Sequence, residues 1–366
     1  MPSGLNKVKN KKGKRRRWLI LIGVAFGLMV LWHFGLGFFP EQEKELRRQF
    51  REAVERQFPD QAAEVASTYG LHKFQPITTI PQVAAPFKST IVLIHGLDDP
   101  GKVWMNLAPA LAGAGFDVWL MRYPNDQPIA ASSRFFLDIL RDLNKKCCPK
   151  ISIVAHSMGG LVSRELLTSP ELSYLEKTRS GLVPEVVELI MVGTPNHGSE
   201  LARFRLLTEF RDQWIQATEG KGHWLKWILD GAGEAKIDLL PDSKFLTDLN
   251  SRPHPEGVKM LVIAGVASLW DTDEIDRFIH SVHDQVPEDE LDTLSELEKF
   301  RISVTDSLGD GLVTVSSSRL EGITHRIVRG THLTIIRNVS EENERIPPAV
   351  PIIIEQLKQS YSSSPN

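Results

Sequence analysis

Cysteine is almost absent from the 366 residues: Cys147 and Cys148 stand side by side, and there are no others. Two adjacent thiols exclude a disulfide framework and any Cys-based zinc site. Whether they pair with each other or stay as buried thiols is left open. Basic excess is also missing from most of the chain. Lys7, Lys9, Lys11, Lys12, Lys14, Arg15, Arg16 and Arg17 fall within the first 17 residues, where there is no acid. With those eight set aside, the formal net charge of −3 becomes −11 for the remainder. An acidic body argues against nucleic acid as the main partner. Apolar residues at 42% and charged residues at 24% are ordinary for a globular protein with a core. The length suits one large α/β domain with insertions, or two smaller ones.

The basic block leads into Trp18–Phe39, a run without formal charge interrupted only by His33 and several glycines. As a helix it spans about 33 Å, enough for a bilayer core. Aromatic residues lie near both ends, as interfacial anchors often do. The run predicts a single-pass anchor. The basic block predicts a cytosolic N-terminus at 1–17, with everything after Phe39 on the other, periplasmic or extracytoplasmic, side. The rival is a cleaved signal peptide, but the run is long for one and Gly35-Leu36-Gly37 is a poor cleavage site.

Pro40 opens a strongly charged helix to about Ala66, with Leu46, Phe50 and Val54 at four-residue spacing. It reads equally as a stalk or membrane-surface helix and as a domain helix packed on a sheet edge. Pro76, Pro81 and Pro86 mark a linker. The expected organisation is a tail at 1–17, an anchor at 18–39, a stalk and linker at 40–85, a folded domain at 86–360 and a tail at 361–366.

Within that domain, strands are predicted at Ser89–Ile94, Phe116–Met121, Ile151–Ala155, Val186–Val192, Val258–Val266 and His325–Arg329. Helices are expected at Val103–Ala114, at Ser133–Asn144 with Ser132 or Ser133 as N-cap, and at Pro348–Gln359. This alternation implies an α/β fold with a mostly parallel sheet wrapped by helices. The sites of such sheets lie at the carboxyl ends of their strands.

The central stretch is Ile151-Ser152-Ile153-Val154-Ala155-His156-Ser157-Met158-Gly159-Gly160-Leu161-Val162. A buried strand runs into Ser157 and straight on into a helix, with small residues two before and two after the serine. That is the G-x-S-x-G nucleophile elbow with alanine at the first glycine, which lifts a hydroxyl out of the sheet. The bland reading is a serine capping a helix in an ordinary loop. The strand–turn–helix context favours the elbow.

His95-Gly96-Leu97 follows the first of these strands, where an α/β-hydrolase places its oxyanion loop. Leu97 N–H and Met158 N–H are the candidate oxyanion donors, with His95 a brace for the turn. Together with the elbow and Gly193-Thr194-Pro195-Asn196-His197-Gly198-Ser199, this loop resembles the lipase branch of the α/β-hydrolases, which includes bacterial lipases and GPI-inositol-deacylase-like proteins. The similarity covers roughly residues 88–200 and resumes near 300–335. It implies that the third motif packs behind the elbow, with His197 in the site wall.

Residues 200–256 interrupt the alternation. Leu206, Leu207, Phe210 and Trp214 form one helical stripe and Trp224, Trp227 and Ile228 another. They suit a lid over an acyl-chain pocket, or a cap packed permanently on the body. His280 and His283, three apart, lack a third metal ligand at a fixed spacing, so a solvated surface is expected there.

Asp310, between Gly309 and Gly311, matches the acid loop of the lipase branch. Asp306 is its runner-up, and Asp271 and Asp273 are more distant candidates. His332, on the loop after the last strand, is the expected base, whereas His325 falls within or before that strand. The chain order Ser157, Asp310, His332 is the one used by this fold. The mechanism implied is ester cleavage through an acyl-serine, with no metal or cofactor required. The anchor and the aromatic insertion favour lipid or acyl-ester substrates. A thioesterase or acyltransferase would use the same residues, and a catalytically silent hydrolase-fold binding protein is a further alternative. A peptidase or epoxide-type hydrolase is a third, although the latter normally has a carboxylate where Ser157 stands. Oligomeric state is not legible.

Overall fold

The computed structural model describes residues 40–75, 89–97, 99, 101–146, 148–199, 233–267, 309–340 and 343–362. The expected anchor, the linker prolines, both aromatic stripes of the insertion, His280, His283, Asp306, Asp271 and Asp273 lie outside them. Among the described residues no helix is long and apolar enough to cross a membrane.

Two helices come first, α1 (Pro40–Gln57) and α2 (Pro59–Ala66), followed by strand β1 (Gly70–Lys73). The chain continues through β2 (Thr90–Ile94), α3 (Leu107–Gly113), β3 (Asp117–Arg122), α4 (Ile129–Lys146), β4 (Lys150–His156), α5 (Met158–Thr168), α6 (Tyr174–Arg179) and β5 (Glu185–Val192). After the insertion come α7 (Glu234–Asp238), α8 (Lys244–Asn250), β6 (Lys259–Val266), α9 (Val315–Ser318), β7 (Thr324–Arg329) and α10 (Ala349–Ser362). The strands form one sheet in the order β1-β3-β2-β4-β5-β6-β7. Every pairing is parallel except that of β1 with β3.

The apolar runs read as strands buried on both faces behave as such. Alternate residues divide between two cores. Val92, Ile94, Ile151, Ile153, Leu189 and Met191 face α4 and α5, meeting Phe136, Leu140, Leu161 and Leu166. Ile91, Leu93, Val154, Ile190, Leu261 and Ile263 face α3 and α10, meeting Leu107, Leu111, Ile353 and Leu357.

Three expectations need correction. Ser132 and Ser133 do not cap α4, which begins earlier, at Ile129. Both are fully buried inside it, and Ser133 Oγ spans α4 and α5 by bonding Ile129 O and Val162 O. The helix expected from Val103 is a short 3-10 turn (Lys102–Trp104), entered through Gly101 in a left-handed conformation and followed by α3 from Leu107. Strand β1 went unpredicted, because its four residues Gly-Leu-His-Lys carry no alternation to detect.

Of the two readings of the segment after Pro40, the packed helix is the one observed, with Phe50 and Val54 of the expected stripe packed together and Leu46 left out. Leu46 is 43% exposed, whereas Glu43, Arg47 and Val54 are buried. Lys44 and Arg51 pair with Asp238 and Glu234 of α7. The second half of the insertion is likewise part of the body. Ala235, Ile237, Leu239, Leu246 and Leu249 are buried, so 233–250 packs against the body.

Candidate active site

The register of the sheet assembles the site. Ile94 pairs with Ala155, and His156 pairs with Val192. Carrying each strand one or two residues further sets Gly96, Ser157 and Gly193 side by side at the carboxyl edge. At Gly96 a Cβ would sit 2.7 Å from Ser157 Cβ and 3.2 Å from Ser157 Oγ, so only glycine lets this loop pass the serine.

Ser157 has φ 54 and ψ −129, a strained conformation for a residue with a Cβ. It is held there by its N–H donating to Val192 O at 2.8 Å and by Thr194 Oγ1 donating to its carbonyl at 2.9 Å. The close approach of helix to strands explains the small residues after it. A Cβ on Gly159 would fall 2.4 Å from Ile94 O and 2.7 Å from His95 O, and one on Gly160 would fall 2.2 Å from Thr194 Oγ1. Since the obstacle at Gly159 is backbone, Gly159→Ala should cost about 1–3 kcal/mol. Denaturant unfolding would register this as a lower midpoint, with ester turnover falling alongside.

Asp310 and His332 meet in a buried pair, His332 Nδ1 to Asp310 Oδ2 at 2.7 Å. Their backbones are tied as well, His332 N–H donating to Asp310 O at 2.8 Å. The other carboxylate oxygen, Oδ1, accepts from Leu312 N at 2.9 Å and Val313 N at 2.8 Å. Gly193, with φ 60, lies under the pair, and a Cβ there would be 3.1 Å from Asp310 Oδ2 and 3.2 Å from His332 Nδ1. The residue level with Ser157 on the next strand thus touches both partners. Ser157 Oγ and His332 Nε2 are not hydrogen-bonded in this conformation, and such contacts commonly tighten only with substrate in place.

The two proposed oxyanion donors flank the serine. Met158 N–H opens α5 and belongs to the helix's unpaired first turn. Leu97 N–H follows the Gly96 contact. Among the described residues neither donates elsewhere.

His95 is a brace, as expected. It is 1% exposed, its Nδ1 meets Gly96 O at 2.8 Å, and its ring lies 4.7 Å from that of Tyr123, whose hydroxyl donates to His95 O. His325 sits in β7 with Nε2 3.0 Å from Ser318 Oγ, away from the pair. His197 is exposed and meets Arg319 O at 3.1 Å.

The third motif does pack behind the elbow, and it does more. Asn196 Nδ2 donates to Ser318 O, His197 N to Ser317 O and Ser199 Oγ to Leu312 O, so the motif also carries the acid loop. Arg164 of α5 bonds Asn196 Oδ1 at 3.0 Å and Asn250 Oδ1 at 2.9 Å. Burial pushes Arg164 down to about 10, which leaves it charged at neutral pH.

His156 was missed, because as the variable residue of the elbow motif it carries no pattern. It is 2% exposed, its Nε2 meets His332 O at 2.9 Å, and its ring lies 4.7 Å from that of His332. Burial, with the neighbouring His332 next in importance, holds it well below the ordinary 6.5. Burial likewise lowers His95. Both are therefore neutral when folded and take up a proton near pH 6.5 only when unfolded. Their contribution to stability is complete above 6.5 and is lost as pH falls below it. The expected slope is up to about 1.4 kcal/mol per pH unit for each. His156→Asn should flatten the decline in a pH series of urea midpoints.

A sequence profile of the alpha/beta hydrolase family matches residues 91–303, more than half of the chain. The protein belongs to the α/β-hydrolase family. No curated protein matches this α/β-hydrolase. Among solved structures it is similar to the mature Bacillus licheniformis lipase BlEst2, at 21% identity and TM-score 0.47, covering 77% of this chain and 97% of the other. The metagenomic carboxyl esterase MGS0156 shares 18% identity at TM-score 0.46 over 78% of each chain. Phospholipase PlaB from Legionella pneumophila shares 17% at TM-score 0.47, over 75% of this chain and 61% of its own. At TM-scores below 0.5, nothing about substrate follows from these likenesses. Among the described residues no cluster of three or more His, Cys, Asp or Glu is placed to hold a metal ion.

Proposed function

We propose that this α/β-hydrolase is a serine hydrolase of carboxylic esters of lipid character, anchored in a membrane by Trp18–Phe39. The observation that carries the catalytic reading is the buried Asp310–His332 pair resting on Gly193, level with the strained Ser157. Ser157 Oγ attacks the ester carbonyl while His332 Nε2 takes its proton, and Asp310 fixes the imidazole tautomer and stabilises the imidazolium. Leu97 and Met158 N–H groups bind the developing oxyanion, each worth about 3 kcal/mol of barrier lowering. His332 returns the proton to the departing alcohol. Water, deprotonated by His332, then cleaves the acyl-serine, releasing the acid and restoring the hydroxyl.

The lipid reading is supported by the uncharged run before Pro40 and by the aromatic-rich insertion with Trp214, Trp224 and Trp227. The basic block supports a cytosolic N-terminus with the catalytic body on the opposite side.

The test uses the full chain in vesicles, a fluorophosphonate probe, and esters of increasing acyl length. One labelled serine and a rate that climbs with chain length are expected. Absence of labelling would remove the serine mechanism, and equal rates at all lengths would remove the lipid preference.

A further inference from the structure

The ion pairs of α1 have a consequence for how the site meets its substrate. Lys44 Nζ reaches Asp238 Oδ1 at 2.5 Å, and Arg51 Nε reaches Glu234 Oε1 at 2.9 Å. Asp238 is 1% exposed and Glu234 0%. Buried carboxylates are strongly destabilising without their counter-charges, so these pairs fix α1 in one pose on α7.

Helix α7 lies at the carboxyl edge of the sheet. Asp126, just past the end of β3, accepts from Gly233 N and Ala235 N at its amino end. Asp238 Oδ2 accepts from Ile129 N, the first residue of α4. Leu239 O accepts from Ser199 N, on the loop that leaves β5 beside the Asp310–His332 pair. Each of these partners sits where a strand has ended or a helix begins, and Ser157 occupies the same edge. Helix α1 therefore lies on the side of the domain that carries the site, with Leu46, Arg48, Gln49 and Glu52 facing outward. Its Lys44 is one turn from Pro40, about 6 Å along the helix axis. The uncharged run Trp18–Phe39 joins Pro40 without an intervening residue.

We propose that α1, clamped to α7, holds the carboxyl edge of the sheet against the bilayer that Trp18–Phe39 enters, so that Ser157 receives its ester from the lipid of that same membrane. This rests on the reading of the site as an ester hydrolase and of the run as an anchor. A flexible tether would let the site point anywhere, whereas a helix pinned to the site-bearing edge directly after the uncharged run does not.

The test places the full chain in phosphatidylcholine vesicles containing a fluorogenic long-chain diacylglycerol ester and follows a soluble short-chain ester in parallel. Two variants are compared with the intact protein: a 20-residue Gly/Ser insertion between Phe39 and Pro40, and Lys44→Ala. The insertion lets the body wander roughly 25 Å from its anchor. Both variants should lose about tenfold in rate on lipid of their own vesicles, the fall in effective concentration that a slack tether imposes. The insertion variant should hydrolyse the soluble ester at the intact rate, and Lys44→Ala should do so below its lowered melting temperature. An insertion variant as fast as the intact chain on vesicle lipid overturns the proposal, as does equal attack on lipid in separate protein-free vesicles. A protein inert on the soluble ester would instead fail as a hydrolase, and one that does not float with the vesicles would fail as an anchored protein. Either result also removes the proposal, and each is told apart from failure of the orientation itself.

Discussion

Ser157→Ala is expected to lower turnover of a short-chain ester by roughly 10⁴- to 10⁶-fold, to the residual level supplied by binding and the oxyanion donors. The hydroxyl has no structural duty that would blur the result. It caps no helix end, while the backbone of residue 157 is held by Val192 O and Thr194 Oγ1. Alanine keeps the Cβ, so it inherits the same strain at φ 54 and leaves stability within about 1 kcal/mol. Thermal melting should therefore be unchanged while fluorophosphonate labelling disappears. Labelling that persisted would place the nucleophile elsewhere in the chain.

Asp310→Asn is expected to cost about 10⁴-fold in turnover with the fold intact. The physical argument is one of tautomers. Asp310 Oδ2 accepts from His332 Nδ1, which keeps Nε2 unprotonated and able to take the serine proton. Asparagine can still accept from Leu312 N and Val313 N through its carbonyl oxygen, so the loop should hold. Its amide group then faces Nδ1 and turns that nitrogen into an acceptor, moving the proton to Nε2, the wrong place for a base. Asp310→Ala separates the two roles. It loses the tautomer control and also strands two backbone donors, adding about 1–3 kcal/mol of destabilisation. A melting curve for Asp310→Asn displaced as far as that for Asp310→Ala would mean that the aspartate is chiefly a loop brace.

Legibility differed between parts of the molecule for identifiable reasons. The elbow could be read because steric crowding leaves so few residues: glycine is the size that the contacts of positions 159 and 160 with Ile94 O and Thr194 Oγ1 permit. The parallel sheet could be read because strands covered on both faces must be apolar throughout. Helix α1 was read rightly at Phe50 and Val54 and misjudged at Leu46. Leu46 stays exposed because the partner surface on α7 is charged and takes Lys44 and Arg51 instead. His156 left no trace, since its role is a hydrogen bond to a carbonyl 176 residues away.

The sequence by itself determined the six parallel strands, the serine after the third of them, and the uncharged run ahead of Pro40, because each is a local consequence of side-chain size, polarity and spacing. Which of several histidines and aspartates would meet was decided only by the tertiary structure. Register places Gly193 level with Ser157, and the pairing of β6 with β7 brings the loops at 310 and 332 together above it. Such contacts depend on strand order and on the close approach of backbones, which no stretch of chain contains alone.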